Sequence, residues 1–219
     1  YANVSVLRRY LERLGHTVVV EAILPGQEAD LTGADFLYMG AGTERAQKAA
    51  LADFARYGTA VRAAAEDGTA MLFAGTAMEL LGRTVSDAEG TVYEGIALAD
   101  FTTVQGKKRL VEDVYGTTDL YPEAVVGFMN KCGVTTGITT PLLTTVSLGY
   151  GNEGEETPEG FHWKNVFASE LTGPLLVTAA AAILARRREA LPEERPVDTW
   201  AEAGYAITAE QLRLRCKRP

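Results

Sequence analysis

The run Thr69-Ala70-Met71-Leu72-Phe73-Ala74-Gly75-Thr76-Ala77-Met78-Glu79-Leu80-Leu81-Gly82 decides how this chain is read. Its first half is continuously apolar, as a strand covered on both faces must be. Its middle consists of small residues, and a helix is expected after them. A strand that ends in a sharp turn feeding a helix is how α/β hydrolytic enzymes expose a nucleophile, with backbone N–H groups beyond the turn left to stabilise an oxyanion. Ala74 occupies the nucleophile's place, and a methyl group cannot attack a carbonyl.

Upstream, Val4, Leu7, Leu11 and Leu14 recur at helical spacing and Gly15 ends the run. Residues 17–23 then read as a strand, residues 25–30 as a polar connection and residues 34–39 as a second strand. Gly40-Ala41-Gly42 breaks that strand and Thr43 is placed to cap a helical stretch over residues 44–65, interrupted at Tyr57-Gly58-Thr59. Strands alternating with helices predict an α/β fold, a doubly wound and mostly parallel sheet flanked by helices. Downstream of Gly82, residues 92–101, 107–115, 123–129 and 144–148 read as strands joined by Gly- and Thr-rich turns, a sheet extension or hairpins. Residues 151–160 read as a mobile polar loop and residues 166–171 as a returning strand. Pro174 opens a helix to about residue 189, Pro192 and Pro196 mark a linker, and Asp198 caps a last helix that ends near Arg215.

The second informative stretch is Lys164-Asn165-Val166-Phe167-Ala168-Ser169-Glu170-Leu171-Thr172-Gly173-Pro174-Leu175-Leu176. Together the two stretches resemble class I glutamine amidotransferases of the CobB/CobQ-like branch, and within it the small glutaminase subunits that work beside a MurT-like Mur ligase in lipid II amidation. That family's strand ends Cys-Gly-Gly, then an aromatic residue and Gln, where this chain has Ala74-Gly75-Thr76-Ala77-Met78. Its second signature is Tyr-x-His-Gly-Pro, where this chain has Glu170-Leu171-Thr172-Gly173-Pro174. Other segments match in order: residues 1–9 resemble the family's opening helix and residues 35–47 its oxyanion-loop region. Gly149-Tyr150-Gly151-Asn152 and Glu159-Gly160-Phe161-His162-Trp163-Lys164-Asn165-Val166 follow the branch's patterns. The resemblance implies a flavodoxin-like, single amidotransferase domain over residues 1–219, with a further family strand ahead of Tyr1 and residues 192–219 as linker and helix.

Glutaminase chemistry needs a thiolate, a base and two oxyanion donors. At Ala74 and Thr172 the first two are absent, so no catalytic residue is assigned. Gly40, Ala41, Gly42 and Gly75 remain able to offer N–H groups to a carbonyl or anion. Arg109 falls where the resemblance places an arginine associated with glutamine binding, and a structural ion pair with Glu44 or Asp67 is its alternative role. An engineered Cys→Ala change accounts for Ala74 but leaves Thr172 and Met78 unexplained, which favours natural loss. Cys132, with Lys131 placed to lower its pKa if the side chains converge, is the other thiol weighed as a nucleophile, though no base is nominated for it. His162 reads as structural and His16 as a surface residue. Thr43, Thr76 and Thr172 are candidate hydrogen-bond donors or ordinary capping and strand residues.

The chain has 219 residues, 47% of them apolar, enough for one continuous core. A net charge of −8 argues against nucleic acid or an anionic membrane as partner. Arg186-Arg187-Arg188 and the basic residues 213–218 read as helix-end compensation plus a solvated tail, or else as a partner patch. Two dispersed cysteines fit a reducing cytoplasm, two histidines give no zinc spacing, and no P-loop is present, so no metal or cofactor is expected. The apolar run over residues 175–185 is too short to cross a bilayer, and no signal peptide is visible. Three functions stay open. The first is a non-catalytic subunit with a Mur-ligase-like partner. The second is an active glutaminase subunit with an unrecognised nucleophile. The third is a sensor holding a small, glutamine-like molecule in the old pocket.

Overall fold

The computed structural model describes residues 2–172, 183–184, 186–189 and 198–216. Helix α1 (Ala2–Arg13) is followed, after an extended connection, by β1 (Phe36–Met39) and α2 (Glu44–Phe54). Thr43 caps α2 as expected, its hydroxyl accepting from the Ala46 N–H at 3.2 Å. A single 3-10 turn (Ala55–Tyr57) joins α2 to α3 (Gly58–Glu66), so the interruption expected at Tyr57-Gly58-Thr59 falls two residues earlier and Gly58 and Thr59 open α3. Next come β2 (Ala70–Ala74), a seven-residue 3-10 segment (Gly75–Leu81), β3 (Thr84–Ser86) and β4 (Val92–Glu94). The long strands β5 (Thr102–Thr118) and β6 (Tyr121–Thr136) precede β7 (Thr145–Leu148), β8 (Phe161–Trp163), β9 (Val166–Ser169) and β10 (Leu171–Thr172). Helix α4 (Thr199–Cys216) comes last, its N-terminus held by Asp198, which accepts from the Ala201 N–H.

Two sheets form. The first has order β1-β2-β9-β8, parallel except at β8, and the second has order β10-β6-β5-β3-β4, with β7 beside β5. The alternation of β2 assigns its faces: Met71 and Phe73 pack with Val61 and Ala65 of α3, while Ala70 packs with Leu7 and Leu11 of α1. Leu72, with Phe167 of β9, packs on Val114 and Met129 from the inner face of the second sheet. The first sheet is therefore covered on both sides, which is why its central strands read as unbroken apolar runs. The fold is α/β, as the sequence predicted.

Some expectations need correction. Residues 17–23 form no strand: Val19, Val20 and Ile23 are exposed, and no described strand lies beside them to take up their backbone groups. Only residues 92–94 of the 92–101 stretch are strand, because the chain then turns back to bond Gly95, Ile96 and Ala97 to the segment at residues 80–83. Residues 151–160 are a pinned loop rather than a mobile one. Asn152 clamps it by donating to the Gly160 carbonyl and accepting from the Gly160 N–H, and Glu159 is fully buried. The helix expected from Pro174, its buried run at 175–185 and the linker at Pro192 and Pro196 lie wholly or partly outside the described residues.

Candidate functional site

The elbow forms where β2 ends, but its sharp bend sits one residue beyond the expected place. Ala74 is extended, at φ −113° and ψ 139°, whereas Gly75 has φ +62°, the left-handed region that a residue with a Cβ enters only under strain. The space at Gly75 is closed as well. A Cβ built there would stand 2.5 Å from the Ala41 Cβ, well inside van der Waals contact. The turn therefore accepts no side chain, and the methyl of Ala74 is buried beneath it.

One of the neighbouring donors is already used. Thr76 Oγ1 accepts from the Gly42 N–H at 3.1 Å and lies 3.1 Å from the Gly42 carbonyl, to which it donates. Gln47, from α2, donates to the Thr76 carbonyl at 2.9 Å. The Gly40-Ala41-Gly42 loop is thus sealed against the turn by Ala41 packing and by the hydroxyl of Thr76, at a position where the resembling family has glycine. Among the expected oxyanion residues, Gly42 has its N–H satisfied internally.

Parallel pairing places Ser169 of β9 opposite Ala74. Thr172, three residues further on, belongs to β10 and pairs with Phe128 of β6, and its exposed hydroxyl donates to the Phe128 carbonyl at 3.0 Å. Arg109 lies at a bulge of β5, its guanidinium donating to Glu44 Oε1 at 2.6 Å and to Asn130 Oδ1 at 2.7 Å. Of the two acids weighed for it, Glu44 is the partner, while Asp67 binds Arg186 at 2.6 Å. The Glu44 carboxyl is held below its usual range, first by its own backbone N–H and then by Arg109.

Cys132 and Lys131 do not converge, because neighbours along a strand point to opposite faces. Lys131 turns inward and donates to the carbonyls of Gly151 and Asn152, whereas Cys132 turns toward Glu44. Burial and the negative charges of Glu44 and Glu79 push the Cys132 thiol up to about 11, so it carries no appreciable thiolate at neutral pH. His162 Nε2 donates to the Lys164 carbonyl at 2.8 Å and the ring stacks on Phe167 at 5.0 Å, the structural role expected of it. His16 is 3.7 Å from Glu189, and Met78 is fully buried in the core.

Sequence reasoning missed the group directly behind the elbow. Glu79, Glu159, Glu170 and Lys131 are each at most 2% exposed, and Gln47, Gln105 and Ser169 are buried with them. Glu79 Oε2 accepts from Gln47 at 2.6 Å and Gln105 at 2.8 Å, while Glu159 accepts from the Ser169 hydroxyl at 2.9 Å and the Glu170 N–H at 2.7 Å. Burial raises all three carboxyls, Glu159 to about 7. The signal was a charge set inside an apolar run, as in Ala77-Met78-Glu79-Leu80-Leu81. Among the described residues, no group of three or more His, Cys, Asp or Glu is arranged to hold a metal, and no helix is long and apolar enough to cross a membrane.

Two curated relatives are GatD subunits of lipid II isoglutaminyl synthase (glutamine-hydrolyzing). The one from Staphylococcus aureus (strain N315) is 30% identical over 216 residues, covering 96% of this chain and 86% of the relative. The one from Streptococcus pneumoniae (strain ATCC BAA-255 / R6) is 29% identical over 177 residues, covering 80% and 68%. A solved glutamine amidotransferase aligns over 82% of this chain and 88% of its own, with 16% identity and a TM-score of 0.48. The family model for the CobB/CobQ-like glutamine amidotransferase domain matches residues 1–179, and the chain belongs to that family.

Proposed function

We propose that this chain is a non-catalytic amidotransferase-like subunit that partners a Mur-ligase-like synthetase in amidation of a cell-wall precursor. The observation that carries the reading is the elbow itself: neither Ala74, which ends β2, nor Gly75, which takes the left-handed turn, carries a nucleophile, and Thr76 occupies the Gly42 N–H. A nucleophile, its base and a free oxyanion donor are the minimum for glutamine hydrolysis; Ala74 and Thr172 stand at the nucleophile and base positions, and the Gly42 N–H is taken by Thr76. The raised thiol of Cys132, turned toward Glu44 on the outer face of β6, supports the same reading against a displaced nucleophile. Its relatives' role as subunits of a synthase supports the choice of partner. The contact surface is placed around Arg109 and the pinned loop at residues 151–160.

The test is ammonia release from glutamine by the purified chain, alone and with a Mur-ligase-like synthetase from the same cell. Background-level release in both cases, together with a stable complex of the two proteins, is the expected result. Release well above background that disappears in Cys132→Ala would replace this reading with that of an active glutaminase. Recovery from the native cell as a lone monomer carrying a metabolite would replace it with that of a sensor.

A further inference from the structure

We infer that Glu79 and Glu170 hold one proton between them, donated by Glu170, and that this shared proton is a latch joining the two sheets behind the elbow. Glu79 projects from the 3-10 segment that leaves β2 of the first sheet. Glu170 stands between β9 and β10, where the chain crosses from the first sheet to the second. Gln105 and Lys131 reach the same cluster from β5 and β6 of the second sheet, so the carboxyl pair lies where both sheets meet.

The hydrogen-bond inventory requires a proton here. Among the described residues, Glu79 Oε1 and Glu170 Oε1 are buried and have no amide or hydroxyl partner. The Glu79 and Glu170 carboxyls lie within hydrogen-bonding reach of each other, and two ionised carboxylates in contact in a dry interior repel, whereas a single proton between them lets one donate to the other. The direction of donation follows from the remaining oxygens. Glu79 Oε2 already accepts from two side-chain amides, which favours its charged form, and among the described residues no side-chain amide or hydroxyl donates to the Glu170 carboxyl. Space for the pair is reserved on the opposite strand, since a Cβ at Gly133 would stand 2.9 Å from Glu79 Oε1.

The charges facing the pair come from every packed element. Lys131 of β6 supplies an ammonium, Glu159 ahead of β8 supplies a third carboxyl, and Cys132 of β6, near Glu79, stays a neutral thiol, while α2 and β5 contribute the uncharged Gln47 and Gln105. One ammonium cannot balance three buried carboxylates, so at least one carboxyl is neutral. Burial and the charge of Glu79 hold Glu170 well above the ordinary carboxylate range, consistent with Glu170 as the neutral one. Loss of this proton to solvent at alkaline pH would set two carboxylates against each other between the sheets and loosen them.

Carboxyl carbon NMR on the whole chain, titrated from pH 5 to 9, reads the latch directly. One carboxyl of the pair should stay protonated at pH 7, and Glu79→Gln should lower the pH at which Glu170 ionises, because the like charge is gone. A second arm compares Glu170→Gln, which keeps a neutral donor toward Glu79, with Glu170→Leu, which removes it. At pH 6 the Leu variant should melt roughly 5 °C or more below the Gln variant. Both carboxyls ionised at pH 6, or equal destabilisation by Gln and Leu, would overturn the latch. If neither variant folds, the titration of the unsubstituted chain decides. None of these readouts depends on the partner or on glutamine chemistry, so the latch and the proposed function fail separately.

Discussion

At the scale of single residues, Gly75 sets the limits of this site more firmly than Ala74 does. An added methyl at Gly75 meets Ala41 at 2.5 Å and forces a left-handed backbone on a residue that resists it. Gly75→Ala should therefore cost about 2–4 kcal/mol of stability, combining overpacking with left-handed strain. Chemical denaturation measures it, and adding Ala41→Gly should recover part of the loss by removing the clash while leaving the strain. The same geometry bears on restoring the family dyad. Ala74→Cys with Thr172→His should release ammonia from glutamine far more slowly than about 1 per second, the lower end of ordinary turnover. Thr76 still occupies the Gly42 donor, and transition-state geometry tolerates little misplacement. Ordinary turnover by the double variant would mean that the loop opens readily.

Among the elements, α4 shows how little of a helix needs to be buried to hold it. Leu212 is its buried residue, Tyr205 donates to the Ala124 carbonyl at 2.8 Å, and Arg215 bridges Glu112 and Asp113 at 2.6 Å each. Leu212→Ala should cost about 2–4 kcal/mol, in the range for large-to-small changes at buried positions. Arg215→Ala should cost under about 1 kcal/mol, since its ion pairs are partly exposed. Hydrogen exchange across α4 separates the two, with the first variant losing protection throughout the helix and the second little changed. The basic residues toward the C-terminus follow the same logic: Arg186 binds Asp67, Arg187 binds Asp35 and Arg213 binds Glu210. They serve as ion-pair partners on the fold's own surface, a role the sequence reading did not name.

For the whole molecule, the buried carboxyls make stability depend on pH in the direction opposite to that of ordinary paired acids. Glu159 is raised to about 7 from an ordinary value near 4.5, so the folded state holds more protons than the unfolded chain between those values. Its stabilisation is present at low pH and is lost as pH rises through about 7, on the order of 3 kcal/mol in all. The melting temperature should accordingly fall between pH 5 and pH 8, and Glu159→Gln should flatten that slope. A midpoint that rises over this range would show that other groups dominate. What the sequence determined by itself was local or periodic. The apolar run at residues 70–74 and the Thr43 and Asp198 caps are legible within a few neighbouring residues, because strand burial and capping are set there. Tertiary structure alone decided the rest. Residues 17–23 have a strand's pattern but no strand beside them among the described residues, and strand formation requires a second backbone. The bend fell on Gly75 because Ala41, 34 positions away, fills the space above it. Glu79, Glu159, Glu170 and Lys131 became one buried proton-holding group only when two sheets closed over them, since a carboxyl's charge depends on what surrounds it in space and not on its neighbours in the chain.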